Sequence, residues 1–308
     1  MFRKVRLPDE TDVPALGQGT WYMGEGRRPA AAEADALKLG IELGMTLIDT
    51  AEMYADGGAE KVVGTAIAGQ RDKVYLISKV YPHNASRAGV AKACERSLHR
   101  LKTDRIDLYL LHWGGSIPIA ETIEGFEALQ RQDKIGAWGM SNLDVADMAE
   151  VAALSPDCMV DQVLYNLEHR GIEHDLMPWC VDRRMALMAY SPIGQAGQLL
   201  RAPALIKIAG RHNATPAQIA LAWGLRHPHV ICIPKASDRT HIHENVAALD
   251  IHLSVQDLAE IDAAFPPPRR KQSLAMLLRG RCCNNGLRCG APACYDWRMM
   301  IALPRANR

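Results

Sequence analysis

The 308-residue chain lacks the features of a membrane protein or a nucleic-acid-binding protein. No stretch approaches the roughly 20 consecutive apolar residues that span a bilayer. Residues 1–10 alternate charged and apolar side chains, without the apolar stretch of a signal peptide. Lys and Arg (36) almost balance Asp and Glu (35), so a net charge of +1 attracts neither nucleic acid nor an anionic membrane. We therefore expect neither partner.

Cysteine is scarce over most of the chain. Four cysteines are scattered through residues 1–277, and isolated thiols are typical of a reducing compartment, which predicts a cytoplasmic protein. Residues 278–308 differ, because they hold four more cysteines and six arginines against one acidic residue. Their net charge is +5, which leaves −4 for residues 1–277 of a chain whose total is +1. We interpret residues 1–277 as the folded domain and residues 278–308 as an atypical extension.

The cysteines of this extension leave two interpretations open. They are Cys282, Cys283, Cys289 and Cys294. A zinc or disulfide site is one interpretation, although the paired C-x₂-C spacing of a zinc knuckle is missing. The other is a disordered or non-native end, because apolar periodicity stops near Leu277 and lysine disappears.

Short apolar runs alternate with helical patterns from Ala15 to about Phe265. Eight runs predict strands, at residues 15–19, 46–49, 74–79, 106–112, 137–141, 160–165, 186–190 and 230–235. Helices are predicted at residues 30–43, 60–68, 87–101, 119–132, 145–154, 175–183, 216–226 and 255–264. This alternation predicts an α/β fold, a single-domain (β/α)₈ TIM barrel, with an open doubly wound sheet as the alternative.

The glycine-rich turns of an open nucleotide-binding sheet are missing. Gly17 and Gly19 are followed by Thr20, Trp21 and Tyr22, so the third glycine of G-x-G-x-x-G is absent. No G-x-x-x-x-G-K phosphate loop occurs either. Both absences favour the barrel.

Ionisable side chains end three successive predicted strands. Asp49, Lys79 and His112 stand there, and Tyr54 follows Asp49 by five residues. Catalytic groups of (β/α)₈ barrels lie at this end of the strands. A nearby ammonium would lower the pKa of a phenol from about 10, which makes Tyr54 a candidate general acid. We expect Asp49 to pair with Lys79 and His112 to donate a hydrogen bond to a developing oxyanion.

The other strand ends indicate a cofactor that carries phosphate. Ser141, Asn142 and Gln162 suit a carboxamide such as that of nicotinamide, and Tyr190 could stack on its ring. Barrels often bind phosphate with the loops after the seventh and eighth strands. The further predicted cofactor contacts are Gly19, Thr20, Asp49, Ser191, Pro192, Gln195, Lys235, Ala236, Ser237, Arg239, His241, Glu244 and Asn245.

From about Arg3 to Leu277 the chain resembles the aldo-keto reductases, in particular the short bacterial branch that includes methylglyoxal reductases. The motifs that carry the resemblance lie at residues 13–21, 47–54, 78–80, 110–113, 139–142, 189–192 and 233–235. It implies a monomeric or weakly dimeric barrel that reduces small aldehydes or ketones with NADPH. Its catalytic tetrad would be Asp49, Tyr54, Lys79 and His112, with Tyr54 giving the proton. Its substrate wall would comprise Trp21, Met53, Tyr54, His112 and Trp113.

The chain departs from this family at the cofactor phosphate. Much of the family has a serine after the lysine, and an arginine six residues after it that binds the adenosine 2′-phosphate. Here Ala236 and His241 stand at those places, and Arg239 could substitute for the arginine. The two cations, Lys235 and Arg239, favour NADPH, with NADH left open.

Two other functions fit parts of the pattern. A metal-dependent barrel hydrolase could use the H-x-H pairs His227–His229 and His241–His243. The first pair precedes a strand, and the second lies in a helix where residues i and i+2 face apart, so no metal site is predicted. A non-catalytic nucleotide-sensing barrel subunit is the other alternative, which the complete tetrad disfavours.

Overall fold

The computed structural model describes residues 2–277, and its centre is a ring of parallel strands. A short antiparallel hairpin, β1 (Lys4–Arg6) and β2 (Asp12–Pro14), precedes the ring. The ring strands β3 to β10 are Gln18–Gly19, Leu47–Asp49, Tyr75–Val80, Ile106–Leu111, Ile135–Ser141, Cys158–Leu164, Ala186–Tyr190 and Val230–Cys232. Each is hydrogen-bonded to the next in sequence order.

The ring closes between its first and last strands. The Gly17 N–H donates to the Cys232 carbonyl (2.9 Å), and the Cys232 N–H donates to the Ala15 carbonyl (2.8 Å). Gly19 lies so close to this seam that a Cβ there would stand 2.7 Å from the Ile233 carbonyl oxygen, so a side chain does not fit. Closure confirms the predicted (β/α)₈ barrel and rules out the open sheet.

Helices connect the strands around the outside of the ring. The α-helices among the described residues, α1 to α10, are Ala30–Glu42, Gly58–Ala66, Arg87–Leu101, Ile119–Arg131, Val145–Leu154, Leu176–Asp182, Pro203–Arg211, Pro216–Leu225, Arg239–Ala247 and Val255–Ala264. Several begin at side-chain caps that satisfy otherwise unpaired backbone N–H groups. Thr215 and Ser254 each form a complete capping box, as their spacing to Gln218 and Asp257 indicates.

All eight predicted ring strands are present, with ends that differ by up to three residues. The predicted helices are also present, three of them with the same bounds. The β1–β2 hairpin was not predicted, because strands of three residues carry almost no periodicity. Helix α7 was not predicted either, although Pro203 starts it and Leu205, Ile208 and Ala209 form a buried stripe at i, i+3 and i+4.

Alternation along the strands separates the interior of the ring from the helical layer. Lys79 and Gln162 point inward, and Gln162 reaches across the ring to Asp49. Their neighbours Ser78 and Asp161 point outward, where Ser78 donates to Glu60 of α2. Because alternate side chains of a strand point in opposite directions, one set forms the polar cluster at the mouth of the ring and the other set packs against the helices.

In the described residues, no helix has the length and apolarity needed to cross a membrane. The extension predicted for residues 278–308, with its four cysteines, lies outside the described residues.

Asp161 carries a buried carboxyl group in the helical layer. It is fully buried, and neither oxygen has a hydrogen-bond partner of normal geometry among the described residues. Burial raises the pKa of Asp161 well above its ordinary value, with the Leu143 backbone opposing the rise and Asp147 and Asp144 adding to it. The folded protein therefore holds a proton there that the unfolded chain releases above about pH 4.

Replacement of Asp161 by Asn should remove a pH-dependent cost. Since the pKa of Asp161 is raised in the folded state, its contribution to the free energy of unfolding is largest below the unfolded pKa. That contribution falls as pH rises toward the folded pKa. Between the unfolded and the folded pKa, the unfolding free energy of Asp161→Asn minus that of wild type should therefore increase by up to about 1.4 kcal/mol per pH unit. Urea titrations at several pH values measure this difference. The same change at exposed Asp157 is the control, and a pH-independent difference at position 161 would contradict the assignment.

Candidate active site

Lys79 is the centre of the polar cluster at the barrel mouth. Its side chain is fully buried, and its ammonium donates to the Asp49 carboxylate (2.7 Å), the Thr50 carbonyl (2.9 Å) and the Tyr54 hydroxyl oxygen (3.3 Å). These bonds use the three N–H donors of an ammonium group. Burial lowers the pKa of Lys79, and the Asp49 carboxylate opposes that change. The predicted Asp49–Lys79 pair is therefore present.

Tyr54 lies on the loop between β4 and α2, with its ring over the same ammonium. Burial raises the pKa of Tyr54 well above its ordinary value, and the Asp49 charge and Tyr190 add to the rise. The prediction that this pKa falls below its ordinary value is therefore wrong, because desolvation of the phenolate is the largest influence on it. Tyr54 is a neutral phenol whose oxygen accepts from Lys79, so its proton can be given to another acceptor.

His112 follows β6 and faces the Tyr54 ring edge-on, with ring centroids 5.7 Å apart. Burial lowers the pKa of His112 well below its ordinary value, and the Lys79 charge lowers it further. The imidazole is therefore neutral and carries one N–H, which suits a hydrogen-bond donor better than a charged acid.

Amide and hydroxyl groups form a second network beside this cluster. Gln162 donates to Asp49 (2.8 Å), and the Ser141 hydroxyl donates to the Gln162 carbonyl (2.8 Å). Asn142 donates to the His112 carbonyl (3.1 Å) and accepts from the Tyr190 hydroxyl (2.9 Å). The residues predicted to contact a carboxamide are thus connected by hydrogen bonds to Asp49 and His112, two of the four predicted catalytic residues.

Aromatic side chains line the mouth. The Trp21 ring is 6.5 Å from the Tyr54 ring, and the Trp113 ring is 4.9 Å from the His112 ring. Met53 is half-buried and packs against the core. Thr20 is buried and donates to the Asp49 carbonyl (2.9 Å). Trp21 and Trp113 therefore flank the phenol and the imidazole, and their role as substrate-wall residues stays a prediction.

The loop after β9 contains several residues with left-handed backbone conformation. Ser191, Gly194, Gln195 and Ala196 all have positive φ. The Ser191 carbonyl accepts from the Asn166 side chain (2.9 Å), which ties this loop to the one after β8. Ser191 and Gln195 therefore lie, with Pro192 between them, on a tightly bent loop next to Tyr190.

The loop after β10 carries the predicted phosphate contacts. Lys235 is exposed and donates to the Ser237 hydroxyl (3.0 Å). Asp238 caps α9 by accepting from the Thr240 N–H. The remaining predicted contacts here follow in the loop or on α9, with Asn245 buried, Ala236 and Glu244 half-buried, and Arg239 and His241 exposed.

Two residues of this region were not predicted. Arg28, on the loop after β3, donates to the Ser237 carbonyl (2.7 Å). Glu52 is buried two residues before Tyr54 and accepts from the Tyr81 N–H and the Asn84 side chain (both 2.9 Å). A search for polar residues at the ends of predicted strands misses both, because neither residue ends a strand. Glu52 nevertheless lies within the motif that contains Tyr54.

The histidine pairs do not converge on a metal site. His227 and His229 precede β10, and His241 and His243 lie on α9. Within residues 2–277, no group of three His, Cys, Asp or Glu side chains is placed to hold a metal ion.

Comparisons with known proteins agree on one family. The sequence profile of the aldo/keto reductase family matches residues 15–265. Methylglyoxal reductase YeaE of Escherichia coli is 51% identical over 281 residues, which cover 89% of this chain and 99% of that protein. Glyoxal reductase of Bacillus subtilis is 34% identical over 265 residues, covering 84% and 91%. The crystal structure of an aldo-keto reductase from Klebsiella pneumoniae in complex with NADPH superposes with a TM-score of 0.88 at 50% identity, covering 90% of this chain and all of that one.

The Asp49–Lys79 pair predicts an asymmetric response to mutation. Asp49→Leu leaves a buried ammonium without its counter-charge, so it should lower the free energy of unfolding by about 3–5 kcal/mol. Asp49→Leu combined with Lys79→Met removes both charges and should lower it less. Urea denaturation compares the variants. Asp12→Asn, which breaks an exposed pair with Arg6, is the control. A double variant no more stable than the single one would contradict a role for uncompensated charge.

Proposed function

The chain belongs to the aldo/keto reductase family, and on that premise we propose that it reduces small aldehydes and ketones to alcohols, with Tyr54 as the proton donor. It is an NADP-dependent oxidoreductase of this family. The observation that carries the proposal is the buried chain Asp49, Lys79, Tyr54, with contacts of 2.7 Å and 3.3 Å.

The donor groups at the mouth fit the cofactor. Asn142, which accepts from the hydroxyl of half-buried Tyr190, and Gln162 offer amides at the mouth, and Lys235 and Ser237 offer an ammonium and a hydroxyl on the loop after β10. Carboxamide and phosphate groups require this chemistry. When bound, NADPH supplies the hydride that the carbonyl carbon accepts.

Tyr54 supplies the proton to the carbonyl oxygen. Its raised pKa keeps the phenol protonated until negative charge develops on that oxygen. The phenolate that then forms lies 3.3 Å from the Lys79 ammonium, which stabilises it. Asp49 keeps Lys79 oriented, and Gln162 keeps Asp49 oriented.

His112 orients the carbonyl group. A neutral imidazole beside the phenol can donate one hydrogen bond to the carbonyl oxygen, and thereby holds it near the Tyr54 hydroxyl. Trp21 and Trp113 flank these two groups and would limit the substrate on both sides. Methylglyoxal-type aldehydes are the substrates we propose first, because the 51% identical relative is a methylglyoxal reductase.

Replacement of the proposed proton donor tests this mechanism. Tyr54→Phe keeps the ring but removes the proton, so turnover of methylglyoxal, followed by NADPH absorbance, should fall by about 10²- to 10⁴-fold. NADPH binding, measured by calorimetry, should persist. Tyr75→Phe is the matched control. It makes the same change at the start of β5, the end of that strand away from Lys79, and should keep its rate.

The outcomes separate the candidate functions. Turnover that survives Tyr54→Phe would overturn the role of Tyr54. NADPH binding without turnover of any aldehyde or ketone in a panel would favour a nucleotide sensor. Loss of activity with a chelator would indicate a metal-dependent enzyme instead.

We also propose that residues 1–277 form the catalytic domain and that residues 278–308 are not needed for turnover. The residues assigned above all lie before Leu277, and the described residues up to Met276 form one compact unit. A chain that ends after Leu277 should reduce the same aldehydes at a rate close to that of the full chain. An inactive truncated chain that is folded by circular dichroism would contradict this assignment.

A further inference from the structure

Two cations from different loops meet at Ser237. Arg28 reaches from the loop after β3 and donates from Nη1 to the Ser237 carbonyl (2.7 Å), and its Nη2 lies 3.6 Å from the Asp238 carboxylate. Lys235 donates to the Ser237 hydroxyl (3.0 Å). Because β3 and β10 are neighbours at the closing seam, these loops lie side by side. Guanidinium, ammonium and hydroxyl groups therefore surround one small region.

The positive charges in this region repel one another. Although much of the Lys235 side chain is exposed, partial desolvation of its ammonium is the main cause that lowers the pKa of Lys235, and Arg28 and Arg27 lower it further, while Glu33 opposes them. Neighbouring cations cost free energy unless an anion offsets their repulsion. Asp238 supplies part of that negative charge, although its other oxygen already caps α9. An anionic ligand would supply more.

The Arg28 guanidinium has donors left for such a ligand. It carries five N–H groups in a fork that matches phosphate oxygens, and the contacts to Ser237 and Asp238 engage only some of them. Ser237 uses its hydroxyl oxygen as an acceptor for Lys235, so its own O–H can still donate. A guanidinium, an ammonium and a hydroxyl thus come together at Ser237, and a terminal phosphate with three free oxygens can accept from all three donor types.

We propose that Arg28 determines the preference for NADPH over NADH by binding the adenosine 2′-phosphate together with Lys235 and Ser237. This inference rests on the function proposed above. It assigns to the loop after β3 the role that the sequence suggested for Arg239, which is the exposed first residue of α9.

Arg27 provides a matched comparison at the neighbouring position. Its guanidinium pairs with Glu25 (3.2 Å) and lies over the Tyr22 ring at 4.4 Å from the centroid. It carries the same charge on the same loop, but both of these contacts lie within that loop and neither involves Ser237. A general loss of positive field should therefore affect Arg27 and Arg28 variants alike, whereas direct phosphate binding should distinguish them.

Calorimetric dissociation constants for NADP⁺ and NAD⁺ on the full chain test the proposal without relying on turnover. Arg28→Ala should weaken NADP⁺ binding by about 10- to 100-fold, the effect of losing a charge-assisted hydrogen bond. NAD⁺ binding should stay near the wild-type value. Arg28→Lys should recover part of the loss, and Arg27→Ala and Arg239→Ala should each change NADP⁺ binding much less than Arg28→Ala.

Four results would overturn it. Equal weakening of NADP⁺ and NAD⁺ would show that Arg28 binds the shared pyrophosphate or only joins the two loops. Loss of NADP⁺ preference in Arg239→Ala but not in Arg28→Ala would move the role to α9. A wild-type chain that binds neither nucleotide would overturn the proposed function as well, whereas an unchanged Arg28→Ala variant of a chain that prefers NADP⁺ would overturn only this inference.

Discussion

A positive charge held out of contact with water is the constraint around which the barrel mouth is organised. The Lys79 ammonium has no solvent exposure, so each of its N–H donors needs a partner within the protein. Asp49, the Thr50 carbonyl and Tyr54 supply those partners, and all three come from β4 or the loop that follows it. The ion pair therefore determines where that loop begins, and with it the position of Tyr54.

The same constraint explains why the ring must be closed and regular at this end. Gln162, on β8, holds the second oxygen of Asp49 from across the ring. Such a contact requires that β4 and β8, which are far apart in sequence, both point these side chains into the ring, and that the two residues lie at the same level along the barrel axis. Glycines at the seam, such as Gly19, allow β3 to approach the segment after β10 closely enough for this.

Much of this arrangement could be predicted from the sequence, because it depends on local patterns. Strand alternation places Asp49, Lys79 and His112 at the ends of three successive strands, whatever the details of packing. The pKa of Tyr54 could not be predicted, since its sign depends on whether burial or the Lys79 charge dominates. Arg28 could not be predicted either, because it reaches its partners across the seam, more than 200 residues along the chain.

The two neutral donors at the mouth differ in what remains after a proton leaves. Tyr54 and His112 are both uncharged in this environment, and either could donate a hydrogen bond to a carbonyl oxygen. A neutral imidazole is a much weaker acid than a phenol, and the Lys79 ammonium contacts the phenol oxygen directly. Only Tyr54 would therefore leave a conjugate base stabilised by an adjacent positive charge. The raised pKa of the resting phenol is compatible with this role, because the negative charge that develops on the carbonyl oxygen during the reaction makes that oxygen basic enough to take the proton.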